Sequence, residues 1–439
     1  MKQTSLKSNF LFNLIYQILA VITPIFTTPY ISRVLSADGI GKYSYALSIV
    51  TYFGIFGCLG TATYGQLEIA RNRDNKKLLH KTVSEIFFGR LVTLMISLLI
   101  YFAVILKASG QYKLLYSVLS LYILGQMNDV SFILQGLEWF KMLAMRNIII
   151  KVLNIVLIFA LVREHNDLYI YAIIIHGITL IGNFSLWPQV IKYIKPKSFK
   201  NMNFIQHWKK SMIYFIPTVA TMVYTVLDKS MIGWITGSEF QNGYYEQAYK
   251  IEQILLVFVT TVGTVTFPRM AYFFENDNKE ERKRIMGITM KFIMLIACPI
   301  CFGTMAISEN LIPVFLGKGY EECILLLRIF SFLIIIIGLD NTIGKQCLIS
   351  AGKQKEYNIG VIGGAIVNFV TNILLISKLG ACGAAIASVF AESVILVVFI
   401  IYSKVELKIP KLSMCFFQIL YFSYVYVYNG LENRNINFK

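Results

Sequence analysis

Charge is scarce in this chain. Only 15% of its 439 residues are Asp, Glu, Lys or Arg, where soluble globular domains carry about 25%. Acid is the scarcer sign, with 24 acidic residues against 41 basic ones. There are four histidines, and no His/carboxylate cluster has metal-ligand spacing. A Gly-rich Lys-Ser/Thr phosphate loop and a nucleophile elbow are also missing. These absences exclude ATP-driven work on this chain and leave no signature of an enzyme, and no cofactor is expected. The seven cysteines are scattered, mostly inside apolar runs. Cys298-Pro-Ile-Cys301 has the spacing of a redox or metal pair, but it stands mid-helix with no His or Cys nearby, so it reads as two small packing residues.

What the chain has instead is apolar sequence, 56% of its residues. The apolar runs repeatedly approach the ~20 residues that a helix needs to cross a bilayer core. We read twelve crossings, approximately 10–32, 41–65, 83–106, 113–137, 146–162, 168–191, 211–236, 244–270, 286–307, 323–349, 357–377 and 381–403. A weaker thirteenth segment, Met414–Tyr428, is short for a full span. The first run is too long for a signal peptide, ends in Pro29-Tyr30 and offers no small-residue cleavage site, so it is expected to remain as a helix. The expected fold class is an all-α integral membrane protein.

Net charge of +17 is a feature of nucleic-acid binders as well. Here the basic residues sit in short loops between apolar runs, so no nucleic-acid partner is expected. Assigned to alternate sides of the twelve crossings, 27 Lys and Arg fall on the side of the N-terminus and 7 on the other. That asymmetry makes the first side cytoplasmic.

The chain also echoes itself. SADGIGKYSYALSI (Ser36–Ile49) and SEFQNGYYEQAYKI (Ser238–Ile251) agree at Ser36/Ser238, Gly41/Gly243, Tyr43/Tyr245, Ala46/Ala248 and Ile49/Ile251. The first joins crossings 1 and 2, the second crossings 7 and 8, and both precede an inward-running helix. The halves are therefore expected to be parallel repeats about an axis along the membrane normal, the layout of transporters that open alternately to each side. The expected divisions are a six-helix bundle over 1–192, a basic cytoplasmic linker over 193–210, a second six-helix bundle over 211–404, and an extra segment with a polar tail over 405–439.

The stretch YQILAVITPIFTTPYISRVLSADGIGKYSYALSIVTYF with GTATYGQLEIA (Gly60–Ala70) resembles the start of bacterial polysaccharide flippases of the multidrug/oligosaccharidyl-lipid/polysaccharide exporter superfamily. LDKSMIGWITGSEFQNGYYEQAYKIEQ with FPRMA (Phe267–Ala271), and LGACGAAIASVFAE (Leu379–Glu392), resemble that family's later helices. The likeness covers most of 8–404. It implies transport of an undecaprenyl-diphosphate-linked oligosaccharide from the cytoplasmic to the periplasmic leaflet of the bacterial inner membrane, for O-antigen or other surface polysaccharide. It also implies membrane lipid, a polysaccharide polymerase and chain-length proteins as partners. Many members carry about fourteen helices, a number this chain does not reach.

A diphosphate needs cations in a wet cavity, and ionisable residues inside spans are functional hypotheses by default. The candidates are Arg33, Arg90, Lys151, Lys229, Lys250 and Arg328, each with a plainer alternative. Arg33 ends a helix and can anchor at headgroups. Arg90 and Lys151 can snorkel. Lys250 lies four residues after Glu246 and is expected to pair with it, while Lys229 need not pair with adjacent Asp228. Asn368 and Asn372, one turn apart, suit sugar hydroxyls or helix–helix contact. Glu392, alone near the middle of its helix, is expected to be protonated, paired across the bundle, or part of ion coupling. His176 reads as a satisfied core histidine. Two other functions compete. An ion-coupled drug/cation antiporter of the same superfamily would show cavity carboxylates outnumbering cations, and the span interiors lean cationic. A membrane polysaccharide polymerase would show a large outer loop, and the longest connections are only about twenty residues and cytoplasmic.

Overall fold

In the computed structural model, residues 6–108, 110–195 and 202–407 are described. The segment Met414–Tyr428 and the tail after it lie outside these residues. Every element of regular structure among the described residues is helical. Nine helical stretches among them are long and apolar enough to cross a membrane. The chain is thus an all-α, multi-pass membrane protein, as its composition requires.

The first of the nine, Ile18–Asn72, runs for 55 residues. At 1.5 Å per residue it would reach over twice the bilayer core. It breaks instead at Ser36, whose φ of 56° and ψ of 174° stand outside helical space, within helix α1 (Leu6–Cys58). A second break at Leu59 and Gly60, both at positive φ, leads into α2 (Thr61–Asn72). Gly60 has a further reason to be glycine, since a Cβ there would come within 2.6 Å of the Phe215 backbone nitrogen.

The chain divides between Met222 and Val223 into two compact units. In the first, α1 packs on α3 (Lys76–Ala108), α4 (Lys113–Asn128) and α6 (Phe140–Leu161), and α4 packs on α7 (Leu168–Phe184). The fourth crossing is discontinuous: α4 ends before Asp129 and a short α5 (Ser131–Gly136) follows. The four-residue α8 (Trp187–Val190) follows α7. Helix α9 (Phe204–Met222) lies against α2 and α3. Trp208 of α9 donates to the Gly89 carbonyl at 3.3 Å, and His207 stands between Tyr64 (2.7 Å) and Glu85 (3.1 Å).

The stretch expected as crossing 7, 211–236, is therefore shared. Its first part belongs to the first unit, and a π-helical turn, Val223–Leu227, leads to α10 (Asp228–Thr236) in the second. The rest of the second unit is α11 (Glu239–Glu275), α12 (Lys279–Phe315), α13 (Glu322–Asp340), a π-helical segment Asn341–Ile349, α14 (Gln354–Leu379) and α15 (Ala381–Leu407). Small residues set its closest packing. Ala384, Ala385, Ala387 and Ala391 of α15 are buried, and a Cβ on Gly383 would run into the Leu375 carbonyl of α14. With lipid as apolar as leucine, close approach of backbones is what holds such helices together. Cys298 and Cys301 are fully buried in an apolar core with Met294, Ile335 and Phe399, so packing is their role.

Candidate functional site

The first unit holds three of the cationic candidates. Arg33 is exposed one turn before the Ser36 break, and its guanidinium donates to the Pro29 carbonyl at 2.9 Å. Arg90, only 2% exposed, donates from Nη2 to the Gln126 backbone carbonyl at 3.1 Å and reaches the Gln126 side chain at 3.4 Å. Asp129 lies 3.9 Å away and the Phe132 ring sits under the guanidinium at 5.4 Å. Gln126 is in the last turn of α4, where carbonyls lack the usual partner along the helix, and its own takes only a 3.4 Å bond from the Asp129 N–H. Arg90 thus satisfies the end of a helix that stops inside the bundle, where unpaired backbone would be costly. Asn183 and Trp187 do the same for the carbonyls of Gly125 and Asn128 at 2.8 and 3.2 Å. Arg146 fixes that arrangement through Asn183 and Ser131 at 2.9 and 2.6 Å.

Lys151 of α6 differs. It is half-buried, and among the described residues no acceptor or carboxylate is within bonding reach of it.

In the second unit the cations are engaged. Lys229 pairs with Glu246 at 2.7 Å and lies over the Tyr249 ring at 5.1 Å. Lys250 reaches the same carboxylate at 3.3 Å, the (i, i+4) pair the sequence suggested. Arg328 pairs with Glu309 at 2.8 Å and bonds to the Ser308 hydroxyl at 3.0 Å.

Asn368 and Asn372 are fully buried and face Asp228 of α10, a residue the sequence marked only as the neighbour of Lys229. Asp228 is itself fully buried and accepts hydrogen bonds from the Tyr245 and Ser388 hydroxyls and the Asn372 amide, each at 2.6 Å. Asn372 also donates to Asn368 Oδ1 at 3.0 Å. Three helices, α11, α14 and α15, converge here on one carboxylate that has no cationic partner among the described residues. The Asn368 amide nitrogen and Asn372 Oδ1 keep unused bonding capacity.

Tyr245 belongs to the sequence echo, and its counterpart behaves alike inside its own unit. Tyr43 is buried and bonds to His176 of α7 at 3.0 Å. Tyr245 bonds to Asp228 and stands 3.5 Å from Ser388 of α15. In each unit the tyrosine two residues after the shared glycine reaches the helix expected as the sixth of its half. His176 is the core histidine expected from sequence.

Glu392 of α15 and Asp340, the last residue of α13, lie close enough for their charges to interact. In sequence Asp340 is set aside because it stands near a helix end, where a carboxylate is less telling than one mid-span.

The sequence pattern of the polysaccharide biosynthesis protein family matches residues 6–274. The chain belongs to that family. Within it and around it, the chain is similar to a protein described as an O-antigen transporter of Shigella dysenteriae, at 24% identity over 86% of this chain and 94% of that one. It is similar to a protein of the same description from Escherichia coli K12, at 21% identity over 89% and 95%. Its fold is that of the lipid II flippase MurJ in an inward closed conformation, with TM-score 0.73 and 17% identity over 96% of this chain and 91% of that one. An inward-facing multidrug transporter of the MATE family shares the fold at TM-score 0.64 and 13% identity, over 88% and 97%.

Proposed function

We propose that this family member flips undecaprenyl-diphosphate-linked oligosaccharide repeat units from the cytoplasmic to the periplasmic leaflet of the bacterial inner membrane. The product would serve O-antigen or another surface polysaccharide. The observation that carries the reading is near full-length similarity to proteins described as O-antigen transporters, on a chain whose fold is shared with a lipid II flippase. The N-terminus is cytoplasmic, by the excess of Lys and Arg on its side. Twelve crossings form two parallel six-helix repeats that open alternately to each leaflet. The chain transports and catalyses no covalent step. A polymerase and chain-length proteins act on what it delivers.

Of the six cations, Lys151 is the first candidate for the diphosphate, because its charge is not committed inside the fold, with exposed Arg33 second. Arg90, Lys229, Lys250 and Arg328 act first as structural partners, and Asn368 and Asn372 as donors around Asp228. The buried carboxyls of the second unit serve ion coupling. The deciding experiment is complementation. A strain lacking its repeat-unit flippase and expressing this chain regains surface polysaccharide; continued accumulation of lipid-linked repeat units, with the protein present in the membrane, overturns the reading.

A second reading, the ion-coupled drug/cation antiporter, draws support from one observation. Asp228, Glu252 and Asp340 are buried without basic partners among the described residues, whereas most span cations are paired. Efflux of a cationic dye that depends on Asp228 or Glu392, without any change in surface polysaccharide, would favour it.

A further inference from the structure

The break inside α1 has a backbone that a serine does not favour. Ser36 stands at φ 56° and ψ 174°, and a residue with a side chain keeps such a conformation only where its surroundings hold it. Two contacts grip the chain on either side of the break, and both come from the connection between α6 and α7. Before it, the Tyr30 hydroxyl donates to the Val162 carbonyl at 2.7 Å, and the Tyr30 ring lies 4.5 Å from that of Phe159. After it, His165 Nε2 lies 3.1 Å from each carboxylate oxygen of Asp38. Val162 and His165 are three residues apart, whereas Tyr30 and Asp38 are eight apart with Ser36 between them. The connection therefore spans the break. A change of angle at Ser36 moves Tyr30 relative to Asp38 and must release one of the two contacts.

The two contacts respond to different conditions. A phenol bonded to a carbonyl is indifferent to pH near neutrality. A carboxylate only accepts, so His165 donates from Nε2. Histidine ordinarily gains its charge below about pH 6.5, and a bond from imidazolium to carboxylate is stronger than one from neutral imidazole. The His165 side chain is 48% exposed and that of Asp38 17%, so the ring exchanges protons with water while its partner is partly shielded. Lys42 of α1 reaches the same carboxylate at 3.4 Å and shares its charge. The remaining ionisable groups around the ring are engaged elsewhere. Glu164 and Asp167 cap the turn His165–Asp167, the Arg163 guanidinium donates to the Ala160 carbonyl at 3.0 Å, and that of Arg33 to Pro29. Helix α7 has no Asp, Glu, Lys or Arg; its titratable side chains are Tyr169, Tyr171 and His176, and His176 is bonded to Tyr43.

The second unit ties its equivalent corner through an amide instead. Ser238, the counterpart of Ser36 in the sequence repeat, is extended at φ −102° and ψ 119°. Three residues on, Gln241 accepts from the Ala381 N–H at the start of α15 and donates to Glu322, each at 2.8 Å. The connection between α14 and α15 is thus held by a group that does not titrate, where that between α6 and α7 is held by a histidine. We propose that the α6–α7 connection is a strap across the Ser36 corner, tightened when His165 takes up a proton. The added hold is present between about pH 4, below which an aspartate is neutralised, and about pH 6.5, and is lost as pH rises past the latter. The strap rests on contacts inside the first unit and not on the flippase reading.

The test is hydrogen–deuterium exchange of the purified full-length chain in lipid nanodiscs, read by mass spectrometry. It is run at about pH 5.5 and about pH 8, on either side of the histidine range, with times corrected for the intrinsic effect of pH on exchange. Peptides covering 159–169 and 33–42 should both exchange about threefold more slowly at the lower pH, a modest factor that suits a partly exposed pair. His165→Gln keeps a donor without the charge and should abolish the difference; Asp38→Asn should abolish it by removing the other partner. Tyr30→Phe should speed exchange of both peptides at both pH values and keep the difference. Equal exchange of the wild type at the two pH values, or a difference that survives in His165→Gln or Asp38→Asn, overturns the proton-dependent strap. A response confined to 159–169, with 33–42 unchanged, overturns its hold on the corner.

Discussion

Lys229 lies 2.7 Å from Glu246 and leaves its chain neighbour Asp228 to three neutral donors. Adjacent helical residues point in different directions, and here they enter separate networks, one an ion pair and one a buried carboxylate held by hydroxyls and an amide. The side chains of Lys229 and Glu246 are 17% and 12% exposed, between the surface and fully buried cases. Lys229→Ala should therefore cost roughly 1–3 kcal/mol of stability. Glu246→Ala should cost a similar amount, and the double variant less than the sum. Thermal unfolding of the three purified variants checks this. Additive losses would mean that Lys229 acts elsewhere, for example on substrate.

Arg90 should behave as a structural residue. Removing a charged donor from the end of α4 leaves the Gln126 carbonyl with only the long 3.4 Å bond from the Asp129 N–H, at a cost of about 1.5–3 kcal/mol. We expect Arg90→Ala to lower the amount of folded protein in the membrane, with surface polysaccharide falling in proportion. A normal protein level with polysaccharide abolished would return Arg90 to the substrate site.

Lys151 should show the opposite pattern. Lys151→Ala is expected to leave the protein level unchanged and reduce surface polysaccharide at least tenfold, while Lys151→Arg retains most of it because charge is what a phosphate reads. Exposed Lys76 and Lys283 serve as controls that tolerate Ala. Full polysaccharide in Lys151→Ala would move the search to Arg33.

Orientation is checked by reporter fusions. Fusions after residues 75, 142, 280 and 354 should read cytoplasmic, and fusions near 110, 165, 240, 318 and 379 periplasmic, from the 27-to-7 division of Lys and Arg. Two adjacent loops reading the wrong way would break the twelve-crossing scheme.

The hydroxyl of Tyr245 supplies one of three bonds to Asp228. Tyr245→Phe removes that donor while keeping the ring, and Ser388→Ala removes a second. Each should cost about 1.5–3 kcal/mol, the range for hydrogen bonds to a charged group, and the pair should be non-additive because they share an acceptor. Melting temperatures of the single and double variants measure both.

The sequence by itself determined the solvent, the class of fold and the family. Long apolar runs with charge confined between them can only be helices in a bilayer, because lipid leaves no partner for exposed backbone. It also determined local pairs such as Lys250 with Glu246, which follow from helix spacing, and it marked Tyr43 and Tyr245 through their repeat. Only the tertiary structure decided the rest. A soluble helix announces its buried face by amphipathicity, but a spanning helix is apolar all round. In α15 the buried face is Ala384, Ala387 and Ala391, while Phe390, Val397 and Ile401 are exposed, so hydrophobicity does not say which side meets protein. Which side chains converge on Asp228, why Arg90 is spent on the end of α4, and that Glu392 finds Asp340 depend on how these helices rotate against one another. That rotation is set by the fit of small residues at close backbone contacts, and no period along a single helix records it.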